Sequence, residues 1–382
     1  MAKIEDSSPA AAQPAAPVPA PAAEVDYRPR DPKGYRPAIG LIGCGLISEQ
    51  HLKAYRQAGY RVVALCDTVA ERAEKRRRDF YPDAAVYGDW RELLDRHDIE
   101  VVDIATHPPA RGPILAGAID AGKHVLSQKP FVLDLDFGQE LVARAERAGV
   151  RLAVNQNGRW APHLSYIREA VRRGILGEVF AVHMSVHWDH HWICGTEFDE
   201  IPHAILYDFA IHWFDILTCF IEAAPRAVYA SFARSPAQRA KPPLLAQASV
   251  RYERAQASLA FDADVRVGQQ DRTFVAGTQG TASSVGPDLI HQELTLTTAA
   301  GSVRPALEGA WFPDGFHGTM GELLCAIEEG REPSNGARQN LQSLALCFAA
   351  VASAERGAPV RPGAVRTLAE AEGRGAATAE TS

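Results

Sequence analysis

Two glycines and one acid carry the first chemistry legible in this chain. Gly43 and Gly45 close the apolar run AIGLI, and Asp67 follows about 20 residues later at the end of a second apolar run, RVVALC. Gly43 lets the backbone turn sharply off a strand, and Gly45 lets it approach a pyrophosphate closely. A helix starting there aims free N–H groups and its positive dipole end at phosphate oxygens. A carboxylate at Asp67 accepts hydrogen bonds from an adenosine ribose. Ser48, small enough to keep helix and strand close, stands where a third glycine is usual. Gly43, Cys44, Gly45, Leu46, Ile47 and Asp67 are thus expected to hold a nicotinamide dinucleotide. Thr68 follows Asp67 with no adjacent Arg or Lys to meet a ribose phosphate, which favours NAD over NADP.

A second concentration of chemical side chains lies at residues 183–212, with His183, His187, His190, His191, His203, His212 and Asp189. His187, Asp189 and His191 alternate as on one strand face, a spacing that could hold zinc. Six scattered cysteines include no C-x-x-C pair and mostly sit in apolar contexts, so buried thiols are expected rather than disulfides or a metal site.

The elements that must position these groups alternate at first. Residues 69–79 form a charged helix, 100–105 an apolar strand, and a helix runs to Ala121 before Gly122. HVLSQKPF gives another strand and turn, and a further helix and RLAVNQN complete a doubly wound α/β unit. From about residue 178 the pattern changes to long alternating strands: EVFAVHMSVHW, RAVYASFAR, AQASVRYE and AQASLAFDADV. Such strands suit a large, mostly antiparallel sheet with one covered face. The expected organisation is a Rossmann domain over 38–156 and an α+β substrate-binding and oligomerisation domain over 157–365. An Ala/Pro-rich arm over 1–37 and a polar tail over 366–382 are expected to be disordered. For Tyr27 to Pro37 the alternative is packing along a neighbouring subunit.

At 382 residues and 46% hydrophobic content the chain suits two soluble globular domains. A net charge of -7 argues against nucleic-acid binding. The start lacks the basic and apolar regions of a secretory signal, and nothing reads as a membrane span, so a cytoplasmic location is expected.

Several segments in order resemble the Gfo/Idh/MocA oxidoreductases, the glucose–fructose oxidoreductase and inositol dehydrogenase group. Besides Gly43-Cys44-Gly45 they are AGKHVLSQKP at 121–130, NGRWAP at 157–162, GILGEV at 174–179, DFAIHWFD at 208–215 and DGFHGTMGELLCAIEEGREP at 314–333. The resemblance implies a catalytic trio of Lys129, Asp208 and His212. The chemistry is coherent: a histidine of ordinary pKa about 6.5 can take a hydroxyl proton while hydride leaves for nicotinamide. Asp208, four residues before His212 in an apolar helical run, can orient the imidazole and stabilise the imidazolium, with Asp215 as a competing partner. Lys129 supplies positive charge beside a developing alkoxide, held by a Lys-Pro bond that is typically cis in the family.

The resemblance also implies that Thr106, Gln128, Lys129, Asn157, Arg159 and Trp160 line the nicotinamide pocket, Arg159 alternatively forming a structural ion pair. For substrate it implies Lys129, His187, His203, Asp208, His212 and His317. Histidines and tryptophans such as Trp188 and Trp192 then read as sugar contacts, and no metal is needed. Some positions depart from the pattern. Gln128 replaces a glutamate, Ala210 a glycine, and Pro202-His203 a glycine pair. His107 and Arg111 stand where the family's loop carries proline and histidine.

The expected activity is NAD-dependent oxidation of a secondary hydroxyl of a sugar, sugar derivative or cyclitol by a homodimer or homotetramer. The alternatives are a redox-cycling glycoside lyase or hydrolase that retains its NAD, and a non-catalytic nucleotide-sensing regulator.

Overall fold

The computed structural model describes residues 25–373. The first unit alternates Ala38–Ile42 (β1), Ser48–Gln57 (α1), Arg61–Cys66 (β2), Ala70–Phe80 (α2), Ala85–Tyr87 (β3), Trp90–Leu94 (α3), Ile99–Ile104 (β4), Pro108–Asp120 (α4), His124–Gln128 (β5), Leu135–Ala148 (α5) and Leu152–Asn155 (β6). Its six strands pair in parallel in the order β3-β2-β1-β4-β5-β6, so the order of winding reverses between β1 and β4. Ligands of open α/β sheets sit at such a switch point, beyond the carboxyl ends of the strands. β1, β4 and β6 are almost wholly buried, as strands covered on both faces must be.

The second unit opens with Pro162–Arg172 (α6) and Val179–His187 (β7), then passes through short turns to a π-helical turn at Ile205–Phe209 and the helix Ile211–Phe220 (α7). The strands Ala227–Ala233 (β8), Leu245–Arg251 (β9), Gln256–Asp262 (β10), Gln270–Gly277 (β11), Gly280–Gly286 (β12), Glu293–Thr298 (β13) and Gly301–Val303 (β14) follow. Trp311–Glu328 (α8), Ala337–Arg356 (α9) and Leu368–Ala371 (α10) end the described chain. The eight strands form one sheet, β14-β13-β12-β11-β7-β10-β9-β8, antiparallel except for β7 beside β10. Burial alternates along β9 and β10, which puts one face on the core and leaves the other open.

The sheet order and pairing are those expected of a Rossmann unit followed by an α+β unit. Helices α8 and α9 of the second unit pack on the first. Phe316, Met320, Leu323 and Leu324 of α8 pack with Ile39, Leu41, Leu52 and Tyr55, completing the core on one face of the first sheet. Among the described residues no helix is long and apolar enough to cross a membrane, and all six cysteines are free thiols.

Both expected disordered ends need correcting where they are described. Residues 25–37 lie along the chain's own two units. Glu328 accepts hydrogen bonds from the backbone N–H groups of Lys33, Gly34 and Tyr35 at 2.6–2.8 Å. Tyr27 packs on Tyr166, and Asp31 accepts from Tyr60 at 2.5 Å. Despite its low aliphatic content, the segment is held by backbone donors and by contacts to tyrosines. At the other end Leu368 and Ala371 are buried. Residues 1–24 and 374–382 lie outside the described residues.

Candidate active site

The switch point is a cleft of about 1140 Å³. Gly43 has φ 98°, and a Cβ there would come within 2.9–3.0 Å of Ala105 and Thr106, so both conformation and space require glycine. At Gly45 a Cβ would meet nothing within 4 Å; the backbone there is an open ledge. Ser48, fully buried, donates to Gly45 O at 2.6 Å and accepts from Arg76 at 3.0 Å, which pins the start of α1. Asp67 accepts from the N–H groups of Cys44 and Val69, both at 2.8 Å, and this aims its carboxylate along the cleft. Gly43, Cys44, Gly45, Leu46, Ile47, Asp67 and Thr106 all line it. A glycine ledge, a helix start and a fixed acid suit a dinucleotide. Arg72, Lys75 and Arg91 line the same cleft from α2 and α3, so cations absent beside Asp67 in sequence are present in space. Asp67 itself still opposes a phosphate on the ribose.

Lys129 follows the last residue of β5, and its bond to Pro130 is cis. Its ammonium donates to the Asp208 backbone carbonyl at 2.9 Å and to the Asp208 carboxylate at 3.1 Å. His212 stands in the first turn of α7, its ring edge-on to Trp311 with centroids 5.4 Å apart. Burial, with the nearby Lys129 charge, holds its imidazole well below the ordinary histidine range, so it is neutral. The structure therefore brings Lys129 and Asp208 together with His212 close by, but the expected Asp208–His212 contact is not made. Among the described residues no hydrogen bond joins them. The cause is local, since Ile205–Phe209 form a π turn, which alters the α-helical spacing the sequence reading assumed.

Asp215 does not compete for His212. It accepts two hydrogen bonds from Arg159, one of them at 2.8 Å, and both side chains are buried. Arg159 is therefore a structural ion pair and not a wall of the cleft. Asn157 and Trp160 are withdrawn too. Asn157 accepts from the Trp311 indole at 2.7 Å, and Trp160 packs under Arg168 and against Gly318.

Gln128 lies behind Lys129 in a buried network. Its carbonyl accepts from Lys129 N–H at 2.7 Å, and its amide faces His51 Nε2 at 3.1 Å. Asn155 meets the same nitrogen at 3.1 Å, so His51 carries its proton on Nδ1 and donates to Asp103 at 2.7 Å. Arg111, 1% exposed, ties the cleft wall to the lysine turn through the carbonyls of Thr106, Gln128 and Pro130. Among the described residues no carboxylate bonds it, and burial draws its guanidinium down to about 10.

Three histidines expected at substrate lie elsewhere. His187 pairs with Asp262 at 2.8 Å across β7 and β10. His203 pairs with Glu355 at 2.8 Å beside Phe232, and His317 with Asp31 at 2.8 Å beside Tyr60. His191 bonds Asp189, so His187, Asp189 and His191 do not converge as zinc ligands.

The residue that sequence reasoning left unassigned is His190. It is 5% exposed, its ring lies 4.1 Å from that of Phe209, and its neighbours include the charges of Asp208 and Lys129. Burial pushes its imidazole down to about 4. Its place in the histidine-rich segment was visible, but which histidine turns inward depends on the strand exit, where His190 N–H donates to Ala263 O at 2.9 Å. Trp192, expected as a sugar contact, lines the cleft from the second unit, and Glu197, Phe198 and Phe312 line it there without any local signal.

These neutral imidazoles set a pH dependence of stability. His163, drawn down to about 3 by burial, His190 and His212 all have folded values below the unfolded 6.5. The unfolded chain then binds more protons, so stability is expected to fall as pH drops below 6.5 toward those values. Thermal melts between about pH 7 and pH 5 check this; a melting temperature that rises on acidification would count against it.

Comparison with known proteins agrees with this architecture. Residues 38–156 match the oxidoreductase family with an NAD-binding Rossmann fold, and residues 164–283 match the GFO/IDH/MocA C-terminal domain. D-apiose dehydrogenase of Paraburkholderia graminis is 29% identical over 348 residues, 84% of this chain and 88% of that protein. Inositol 2-dehydrogenase of Salmonella typhimurium is 25% identical over 198 residues, 51% of this chain and 57% of that protein. An Agrobacterium radiobacter oxidoreductase solved with NAD+, L-tartaric acid and magnesium superposes with TM-score 0.77 at 23% identity, over 86% of this chain and 99% of that one. Levoglucosan dehydrogenase, solved with NADH and levoglucosan, gives 0.75 at 19%, over 86% and 100%. With both halves matched in order around an NAD-binding Rossmann sheet, the chain belongs to the Gfo/Idh/MocA family of oxidoreductases.

Proposed function

We propose that this protein is an NAD-dependent dehydrogenase that oxidises a secondary hydroxyl of a sugar, sugar derivative or cyclitol. The observation that carries the reading is the Lys129–Asp208 pair beside the half-buried, neutral imidazole of His212, next to a dinucleotide cleft. The names of two relatives, one a D-apiose and one an inositol dehydrogenase, support the substrate class.

The cleft residues Gly43 to Ile47 and Asp67 would hold the pyrophosphate and ribose, and the bound nicotinamide supplies the hydride acceptor. Lys129 directs a positive charge at the substrate oxygen, where it stabilises developing negative charge. Asp208 anchors that ammonium by charge-assisted hydrogen bonds, which costs no reorganisation during the reaction. His212 takes the hydroxyl proton, a task its neutral form suits. His190 stands beside the same pair as a further substrate contact.

The second sheet leaves Phe180, Tyr229 and Phe274 exposed on its open face, which supports pairing with a second copy. The test of function is NADH formation across monosaccharides, cyclitols and glycosides. Steady NADH accumulation with one class supports the proposal; conversion of a glycoside without net NADH would replace it with a redox-cycling lyase or hydrolase.

A further inference from the structure

We infer that the substrate is an uncharged ring that lies with its C–H face against Trp192, and that the site discriminates against rings carrying a carboxylate or phosphate. This rests on the dehydrogenase reading and names its substrate class more narrowly.

The first observation is exposed aromatic surface in one place. Trp192 is 55% exposed and Phe312 47% exposed, and both line the cleft from the second unit. Neither is a stray surface residue. Trp192 packs on His190 and Phe198, with ring centroids 5.9 and 5.3 Å away. Phe312 packs on Trp311 at 6.1 Å, and Trp311 meets His212 at 5.4 Å. Aromatic contacts therefore link the exposed rings of the cleft, through the buried rings of His190 and Trp311, to the Lys129–Asp208–His212 group on two sides. A flat indole matches the C–H face of a sugar or cyclitol ring and leaves the hydroxyl edge free for polar partners.

The second observation is where positive charge lies. The arginines and lysine that line the cleft, Arg72, Lys75, Arg76 and Arg91, all come from α2 and α3 on the Asp67 side. Among the described residues around the catalytic group, Lys129, Arg111 and Arg159 each already have a partner. Lys129 is held by Asp208, Arg159 by Asp215, and Arg111 by backbone carbonyls. His190 and His212 are neutral, and His107 faces Glu197 at 2.9 Å. A carboxylate or phosphate on the substrate would lose hydration there and gain no cation beyond Lys129, whose charge is already shared between Asp208 and the reacting oxygen. A neutral polyol loses little, because Lys129, Asp208, His190 and His212 together offer donors and acceptors for hydroxyls.

The test pairs neutral compounds with their anionic partners: D-glucose with D-glucuronate and D-glucose 6-phosphate, D-galactose with D-galacturonate, and myo-inositol with its 1-phosphate. For any pair that is turned over, kcat/KM is expected to be at least about tenfold higher for the neutral member. Trp192→Ala is expected to raise KM for the neutral ring about tenfold with kcat little changed, a larger effect than on NADH affinity, and Trp192→Phe to recover most of the loss. Binding of the same compounds to the NADH-loaded protein, read by calorimetry, tests the inference without turnover. Neutral rings that bind through Trp192 but are never oxidised would sink the dehydrogenase reading alone. An anionic partner that binds or reacts as well as its neutral member would overturn the inference alone. So would a Trp192→Ala variant that loses NADH affinity and keeps its KM.

Discussion

His212→Ala is expected to lower kcat by about 10²–10⁴-fold, the usual worth of a positioned general base. NAD affinity should hardly change, since the ledge from Gly43 to Ile47 and the Asp67 carboxylate lie in the dinucleotide cleft and the imidazole does not line it. The size of the effect follows from what surrounds the ring. His212 is held neutral by burial and by the Lys129 charge, so every molecule at neutral pH carries a competent base. When it takes the substrate proton it becomes a cation beside another cation. That cost is offset by the alkoxide formed in the same proton transfer, whose negative charge lies against both cations. From this group kcat is expected to stay flat as pH falls from 8 toward 6.5, the opposite of a base with an ordinary or raised value. Steady-state kinetics with NADH fluorescence titration separates the two parameters. A His212→Ala enzyme that turns over within a fewfold of wild type would remove the imidazole from the mechanism. Lys129→Met serves as the companion: it removes the charge and leaves Asp208 without its partner.

The second large effect concerns stability. Asp215→Ala is expected to cost about 3–5 kcal/mol, because it strands the Arg159 guanidinium in the core. The Arg159 and Asp215 side chains are 2% and 1% exposed. Asp215 also accepts from Ser343 at 2.9 Å and Asn340 at 3.4 Å, while Arg159 donates to Ser334 O and to Gln339 at 3.1 Å. The pair thus joins the turn after β6, α7 and α9 through one buried knot. A loss of this size corresponds to a melting temperature lower by roughly 5 °C. Removing both charges with Arg159→Met and Asp215→Leu is expected to recover much of it, since the penalty belongs to the unpaired ion more than to the missing bond. A single variant that loses less than about 1 kcal/mol would mean that water reaches the guanidinium, contrary to its burial.

The dinucleotide ledge was legible from the chain because its determinants are local. A glycine turn, a helix start and an acid on the next strand fall within 30 residues, and each has one physical job. The alternation of strand and helix, followed by strands of period two, set the fold class in the same way. Lys129 and its cis proline were reachable through resemblance. Asp208 and His212 were reachable as residues, but their mutual geometry was not. A π turn forms only when packing favours it, and no residue type announces it.

What only the tertiary structure decided is which polar residues face the site. His187, His190, His203 and His317 are alike in sequence, yet only His190 is brought beside Lys129 and Asp208. The others are taken by Asp262, Glu355 and Asp31, from elements between 75 and 286 residues away. Arg159 shows the same rule, because its partner lies 56 residues on and turns a candidate pocket wall into a core ion pair. Sequence spacing determines what a residue can do within one turn or one strand. Its partner across elements depends on strand register and helix packing, and those are set by burial summed over the whole core.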